Sequence, residues 1–323
     1  MMALSELTPE SNLGLRLLAY SNERFPLWQA AGQFPMFLTA YTVGRMMVGE
    51  RPAFTLNLFL GCLALIAYTL MVRCIDDHKD APHDNAYYPE RVLQRGIVTF
   101  TNLKVVAILC VLLIVGVSLY IDRGIGLATM WLLLIFITNN LVQFVQVKWA
   151  SLGEWLEARR VLLALTVIPF WGFGSVWAAQ MGAGKQLVTA QVWWLVASWC
   201  VAALLLEIAR KSRTPEDTRD SVVDYTKETS SWTTSLGLRG TVVTLLVLAT
   251  AVTAIEAGML NALGVGVWWA YLALGLTLLL PIGAGIRFAV RPDRFTAKDV
   301  SETSAGLWLI GQIICSVALF LVH

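Results

Sequence analysis

The stretch "GCLALIAYTLMVRCIDDHKDAPHD" (61–84) joins a long apolar run to four carboxylates: Asp76, Asp77, Asp80 and Asp84. The C-terminal end of a helix carries partial negative charge, so acids there are disfavoured. Like charges one turn apart also repel. A bound cation reverses both penalties. Asp76, Asp80 and Asp84 step by four, so a helix continued past the apolar run stacks them on one face. Such a stripe suits Mg²⁺, which takes oxygen ligands and bridges a few carboxylates to substrate phosphates. Pro82 is expected to loosen the last turn.

The rest of the chain sets the context. Its 323 residues are 57% hydrophobic and 14% charged, with a mean hydropathy of +0.65. Soluble domains carry about 25% charged residues, so the composition points to an all-α, polytopic integral membrane protein, one transmembrane domain over 1–323. Nine apolar spans are expected, at about 26–49, 53–75, 103–121, 125–147, 161–181, 188–209, 236–257, 264–286 and 304–322. The fifth is the weakest, interrupted by Pro169 and three glycines. With nine spans, twenty of the 24 Lys and Arg residues fall on the side of the N-terminus, leaving Arg45, Arg51, Arg123 and Lys185 opposite. The positive-inside rule then puts the N-terminus in the cytoplasm. Residues 1–24 carry Glu6, Glu10 and Glu23 and do not read as a secretory signal. The five cysteines have no C-x-x-C spacing and read as free thiols. No basic stretch outside short loops suggests nucleic acid as a partner.

Two polar cytoplasmic loops, at about 76–102 and 207–235, hold most of the acids. The second, "EIARKSRTPEDTRDSVVDYTKE" (207–228), mixes Glu207 and Asp217 with Arg210 and Lys211, and the first adds Lys79, Arg91 and Arg95. Acids for a metal beside bases for phosphate oxygens make a diphosphate site. In the fourth span Asn139, Gln143 and Gln146 recur on one helical face, either lining a substrate cavity or bonding to neighbouring helices. Trp171 and Trp177 could line an apolar pocket whose aromatic faces stabilise a cation.

"DDHKDAPHD" (76–84) resembles the first aspartate-rich motif of the UbiA superfamily of intramembrane prenyltransferases, N-D-x-x-D-x-x-x-D. Asp76 stands at the Asn position and Asp77, Asp80 and Asp84 at the three Asp positions. "YYPERVLQRG" (87–96) is similar to the basic, Gly-ended stretch that follows it. The resemblance implies a nine-helix bundle in which Mg²⁺ assists ionisation of an isoprenyl diphosphate to an allylic carbocation. Asp76, Asp80, Asp84, Glu207 and Asp217 are the expected metal ligands, and Lys79, Arg91, Arg95, Arg210 and Lys211 the expected diphosphate contacts. The second motif departs from the family's D-x-x-x-D: Glu207 takes the leading position, Asp217 the trailing one, and Lys211 falls where an Asp is expected. Capture of the cation by an aromatic or lipid acceptor gives a prenyltransferase, and capture by the substrate's own double bonds gives a terpene cyclase. A cation transporter is the reading from another class; it calls for ionisable residues near the bilayer midplane, where the spans hold almost none.

Overall fold

The computed structural model describes residues 7–148, 160–212 and 232–322. Among these residues the regular elements are all helices: α1 (Leu13–Arg24), α2 (Leu27–Met47), α3 (Leu56–Lys79), α4 (Ala81–Tyr87), α5 (Phe100–Asp122), α6 (Leu127–Lys148), α7 (Arg160–Ala183), α8 (Val192–Arg210), α9 (Trp232–Ala262), α10 (Trp268–Thr277), α11 (Leu279–Val290) and α12 (Arg294–Val322). Six described stretches are long and apolar enough to cross a bilayer: α3, α5, α8, Ser235–Ala262 of α9, α10 with α11, and α12. The chain is an integral membrane protein. In α5 the exposed residues Val105, Ile108, Leu109 and Leu112 form an outward apolar stripe, while Leu103, Cys110, Ile114 and Val117 face the core. A helix apolar on both faces belongs in lipid.

The helices pack in chain order, α2 on α3, then α5, α6, α7, α8, α9, α11 and α12, and α12 returns against α2 to close the ring. Across the ring α2 packs on α7. There Gly44 lies against the Ala179 carbonyl and Gly182 against the Tyr41 carbonyl so tightly that a Cβ at either glycine would overlap the facing backbone. Small residues permit this approach in membrane bundles. Tyr41 meets Thr55 and Phe34 stacks on Phe59, so α2 and α3 are antiparallel. Gly61 lies against Met181 and Tyr68 stacks on Phe170, so α3 and α7 are antiparallel too, which makes α2 and α7 parallel. Since α3 returns from the end of α2 and α8 from the end of α7, the C-terminal ends of α3 and α8 share one end of the bundle. The opposite end holds a cleft of about 460 Å³ bordered by Met46, Glu50, Arg51, Thr189, Gln191 and Leu263.

Three local expectations change. The helix through Pro169 is unbroken from Arg160 to Ala183, and Cys200 Sγ of α8 donates to the Ile168 carbonyl at 3.6 Å in that turn. The eighth apolar run instead divides at Leu278 into α10 and α11. Pro281, lacking an N–H, cannot bond back to Thr277, the last residue of α10. Finally, residues 13–24 form a helix before the first span, capped by the Asn12 side chain accepting from Gly14 N–H at 2.9 Å. Its Ala19 and Tyr20 are buried in a small second core with Cys74, Val92, Leu93, Ile97 and Leu103. Thus α1 lies across the polar segment that follows α3.

Candidate active site at the end of α3

The backbone carries the acidic motif in register. Asp80 N–H donates to Asp76 O at 2.8 Å, Asp84 N–H to Asp80 O at 2.9 Å and Tyr88 N–H to Asp84 O at 2.9 Å. Four-residue spacing therefore persists across the junction of α3 and α4. Pro82 does not loosen it, because it sits in the first turn of α4, where its missing N–H has no partner to lose.

Burial divides the motif differently from the four-step stripe. The buried face of α3 runs through Ala64, Tyr68, Met71 and Cys74 to Asp77, which is 1% exposed. Asp84 is buried too, whereas the side chains of Asp76 and Asp80 are 29% and 44% exposed. Asp77 accepts from Arg24 Nη2 at 2.5 Å and Nε at 3.1 Å, from Arg73 Nη2 at 2.8 Å, and from the Tyr20 hydroxyl at 2.6 Å. Asp84 accepts from Arg91 Nη1 at 2.6 Å and lies 3.4 Å from Arg24 Nη2. The Arg91 guanidinium also stacks 3.7 Å from the centre of the Tyr88 ring. Two buried carboxylates are thus held by three guanidinium groups, and Arg24 touches both.

Arg24 arrives on α1, which is tied down along its length. Arg16 donates to the Ile97 carbonyl and to Asn102 Oδ1, and Glu23 accepts from Val92 N–H at 3.1 Å. Burial, ahead of the neighbouring Cys74 and Asp77, pushes the Tyr20 hydroxyl far above its ordinary range, so it stays a donor to Asp77. Burial also raises the Asp80 carboxyl, opposed by Lys79 and Arg24 and reinforced by Asp84 and Asp77.

At the end of α8 the arrangement is local. Glu207 meets Lys211 Nζ at 2.5 Å and Arg210 Nη2 at 3.0 Å, all on one turn, with Arg210 67% and Lys211 43% exposed. The chain resumes beside it, since Trp232 N–H donates to the Lys211 carbonyl at 3.3 Å. Asp217 lies outside the described residues. Asn139 is half-buried on α6; Gln143 and Gln146 follow on the same helix, with side chains outside the description. Arg95 is exposed, one turn beyond Arg91.

The donor chemistry bears on a divalent cation. Among the described residues no three His, Cys, Asp or Glu side chains come together as a metal cluster. The Asp77 and Asp84 oxygens face guanidinium groups. Asp76 and Asp80 stand one turn apart and partly exposed, with the Lys79 ammonium 3.8 and 3.9 Å away. Mg²⁺ commonly takes one or two carboxylates and completes its shell with water and substrate phosphate. Asp76 and Asp80 fit that limited role.

No protein-family model and no curated protein matches this sequence. Solved structures do match it. The apo structure of a UbiA homologue from Aeropyrum pernix K1 superposes with a TM-score of 0.64 at 16% identity, over 91% of this chain and 98% of that one. This chain has the UbiA fold. A structure of digeranylgeranylglyceryl phosphate synthase matches with a TM-score of 0.61 at 15% identity, over 95% of this chain and 99% of that one. The UbiA fold so recognised agrees with the resemblance carried by the acidic motif.

Sequence reasoning set Asp77 among the motif positions but not among the site residues, and it did not find Arg24, Arg73 or Tyr20. For Asp77 the signal was present, because extending the apolar stripe of α3 by threes and fours ends on 77. For Arg24 there was none, since it approaches from 53 residues away. Among the few ionisable residues of the spans, Glu256, in α9, is 1% exposed inside the bundle.

Proposed function

We propose that the chain is a nine-span membrane enzyme of the UbiA superfamily that ionises an isoprenyl diphosphate and transfers the resulting prenyl cation to an aromatic or lipid acceptor. The observation that carries this reading is a UbiA fold whose α3 ends in a cluster of carboxylates and arginines. The positive-inside bias of the loops supports putting that end of the bundle, and the N-terminus, on the cytoplasmic side.

Asp76 and Asp80 would hold Mg²⁺, which when bound neutralises charge on the diphosphate oxygens. The residues of the chain do the rest. Arg95, Arg210 and Lys211 present exposed cations at the same end, placed to bind phosphate oxygens. Lys79 lies beside Asp76 and Asp80. Asp77 and Asp84 orient Arg24, Arg73 and Arg91, and Glu207 orients Arg210 and Lys211. Negative charge grows on the departing diphosphate in the transition state, so fixed cations bind it more tightly then than in the ground state. Water is kept from the cation by the apolar bundle beneath. Asp217, in the sequence after α8, is a further candidate ligand.

The test is release of diphosphate by purified protein given Mg²⁺ and isoprenyl diphosphates of several chain lengths. Asp76→Ala and Asp80→Ala are expected to abolish release while helix content and melting temperature stay near wild type. Wild-type turnover in both would remove them from the site. The second reading, a terpene cyclase, is favoured by the motif's D-D-x-x-D start and by Lys211 at an acid position. A cyclic hydrocarbon formed without acceptor establishes it; release that requires an acceptor establishes the transferase.

A further inference from the structure

The end of the bundle away from the acidic motif holds the cleft of about 460 Å³, an ordinary size for a small-ligand site. Three turns wall it: 48–51 after α2, 184–191 before α8, and the turn that begins at Leu263 after α9. Arg45, in the last turn of α2, closes the first. Its guanidinium meets Glu50 Oε2 at 2.9 Å and donates through Nε to the Arg51 carbonyl at 2.9 Å. Glu50 N–H returns to the Arg45 carbonyl at 2.9 Å, across Gly49 at φ +78°, a conformation that favours glycine. Gln180 of α7 is fully buried and ties the second turn, donating to the Gly184 carbonyl at 2.9 Å and the Gln186 carbonyl at 2.6 Å. In the third, Val265 N–H donates to the Leu260 carbonyl at 2.9 Å, and the Tyr271 hydroxyl to the Val265 carbonyl at 2.8 Å. The walls are therefore set before a ligand arrives, which lowers the ordering cost of binding one.

The charge of the cleft is unbalanced. Glu50 is neutralised by Arg45, whereas Arg51 is exposed and makes no ion pair among the described residues. The Thr189 hydroxyl donates to Gln191 Oε1, which leaves the Gln191 amide N–H groups as donors. Met46, Met47 and Leu263 give the cleft an apolar lining. With nine spans, this end holds only four of the 24 Lys and Arg residues, and Arg51 is one of them. An arginine that is merely solvated needs no scaffold of three braced turns. An uncompensated guanidinium and an amide donor beside an apolar lining fit an amphiphilic anion, and a guanidinium matches phosphate oxygens best. Leu187 of the second turn, and Trp193 and Trp268 just beyond the second and third, are exposed. Tryptophans so placed mark the headgroup level of a bilayer. The cleft thus opens at the level of lipid phosphates.

We propose that this cleft binds the phosphate headgroup of a phospholipid from the leaflet opposite the acidic motif. Arg51 takes the phosphate oxygens, the Gln191 amide adds a hydrogen bond, and the first acyl carbons pass over Met46, Met47 and Leu263. The lipid ties the ends of α2, α8 and α9 together. The inference is independent of the isoprenyl diphosphate reading.

The test uses full-length protein in detergent and native mass spectrometry with three probes: dihexanoylphosphatidylglycerol, glycerol phosphate without chains, and dihexanoylglycerol without phosphate. Wild type is expected to bind the phospholipid at least tenfold more tightly than either fragment. Arg51→Gln should weaken binding of the first phospholipid at least tenfold, with its melting temperature retained. Ala262→Trp, which fills the cleft and keeps Arg51, should do the same. Arg123→Gln removes another cation of this end and should leave binding unchanged. Wild-type affinity in either Arg51→Gln or Ala262→Trp overturns the site. An equal loss in Arg123→Gln also overturns it, since the attraction would then be to the charge of the whole end. Equal affinity for glycerol phosphate overturns the lipid assignment in favour of a free anion, and equal affinity for dihexanoylglycerol overturns the phosphate contact.

Discussion

The ends of α3 and α8 meet the same problem in different ways. Each places a carboxylate against the negative end of a helix. At α8 the remedy is local: Glu207 is compensated by Arg210 and Lys211, three and four residues on, in partly exposed pairs. At α3 the remedy is tertiary: Asp77 is buried, and two of its three partners, Arg24 and Tyr20, come from α1. Asp293 gives the opposite case, an acid at a helix N-terminus, where Phe295 N–H and Thr296 N–H donate to it at 3.0 and 2.9 Å. Local compensation holds a side chain at a surface. Tertiary compensation also fixes one element upon another, and at α3 it anchors α1 over the candidate site.

The comparison breaks most visibly at Asp77. Removing one partner of a buried ion pair costs about 3–5 kcal/mol, because the other charge is left uncompensated. Asp77→Ala is therefore expected to lower stability in detergent by about that amount, read as a drop in melting temperature. Arg24→Ala should be similarly damaging, and the double variant should lose much less than the sum of the two. Additive losses would mean that the contact does not hold α1 in place.

That result also marks where sequence was enough. The expected apolar runs fall on helices, the eighth on two of them, and six described stretches are long and apolar enough to cross a bilayer, because a membrane leaves the backbone of such runs few other ways to satisfy its polar groups. The shared end of α3 and α8 follows from alternation along the chain. The site was less legible. Asp76, Asp80 and Asp84 were legible as a register, and the backbone bonds from 76 to 84 follow it. Their burial was not, since it depends on how α1 lies across them. A four-step rule places side chains relative to one another; only the buried face of the whole helix tells which of them point inward. Glu256 was visible as a lone acid in "AVTAIEAGML", but nothing in that stretch announces its partner Gln312, 56 residues on.

A smaller effect is expected at α8. Exposed ion pairs contribute about 0.2–1 kcal/mol, so Glu207→Gln should change the melting temperature far less than Asp77→Ala does. Its effect on function should be the larger one, read as weaker diphosphate binding, because Arg210 and Lys211 lose the group that orients them. A loss of stability matching that of Asp77→Ala would show that the end of α8 is built into the tertiary structure as the end of α3 is.

The smallest effect is at Asp293, and its sign is what matters. Hydrogen bonding from Thr296 N–H first, aided by Phe295 N–H, the Thr296 hydroxyl and the Arg291 guanidinium, holds its carboxyl below the usual range against the opposing effect of desolvation. A group held more acidic in the folded than in the unfolded protein adds stability above its unfolded pKa, about 3.9 for Asp. That stability disappears as pH falls through the lower folded value. The Asp293→Asn variant keeps the capping oxygen but loses the charge. Its melting temperature should lie slightly below wild type at neutral pH and converge with it in acid. Convergence in the other direction, with the variant matching wild type at neutral pH and falling behind in acid, would mean that the charge at the start of α12 does not favour the fold. The favourable end of a helix would then offer no measure for the two unfavourable ones.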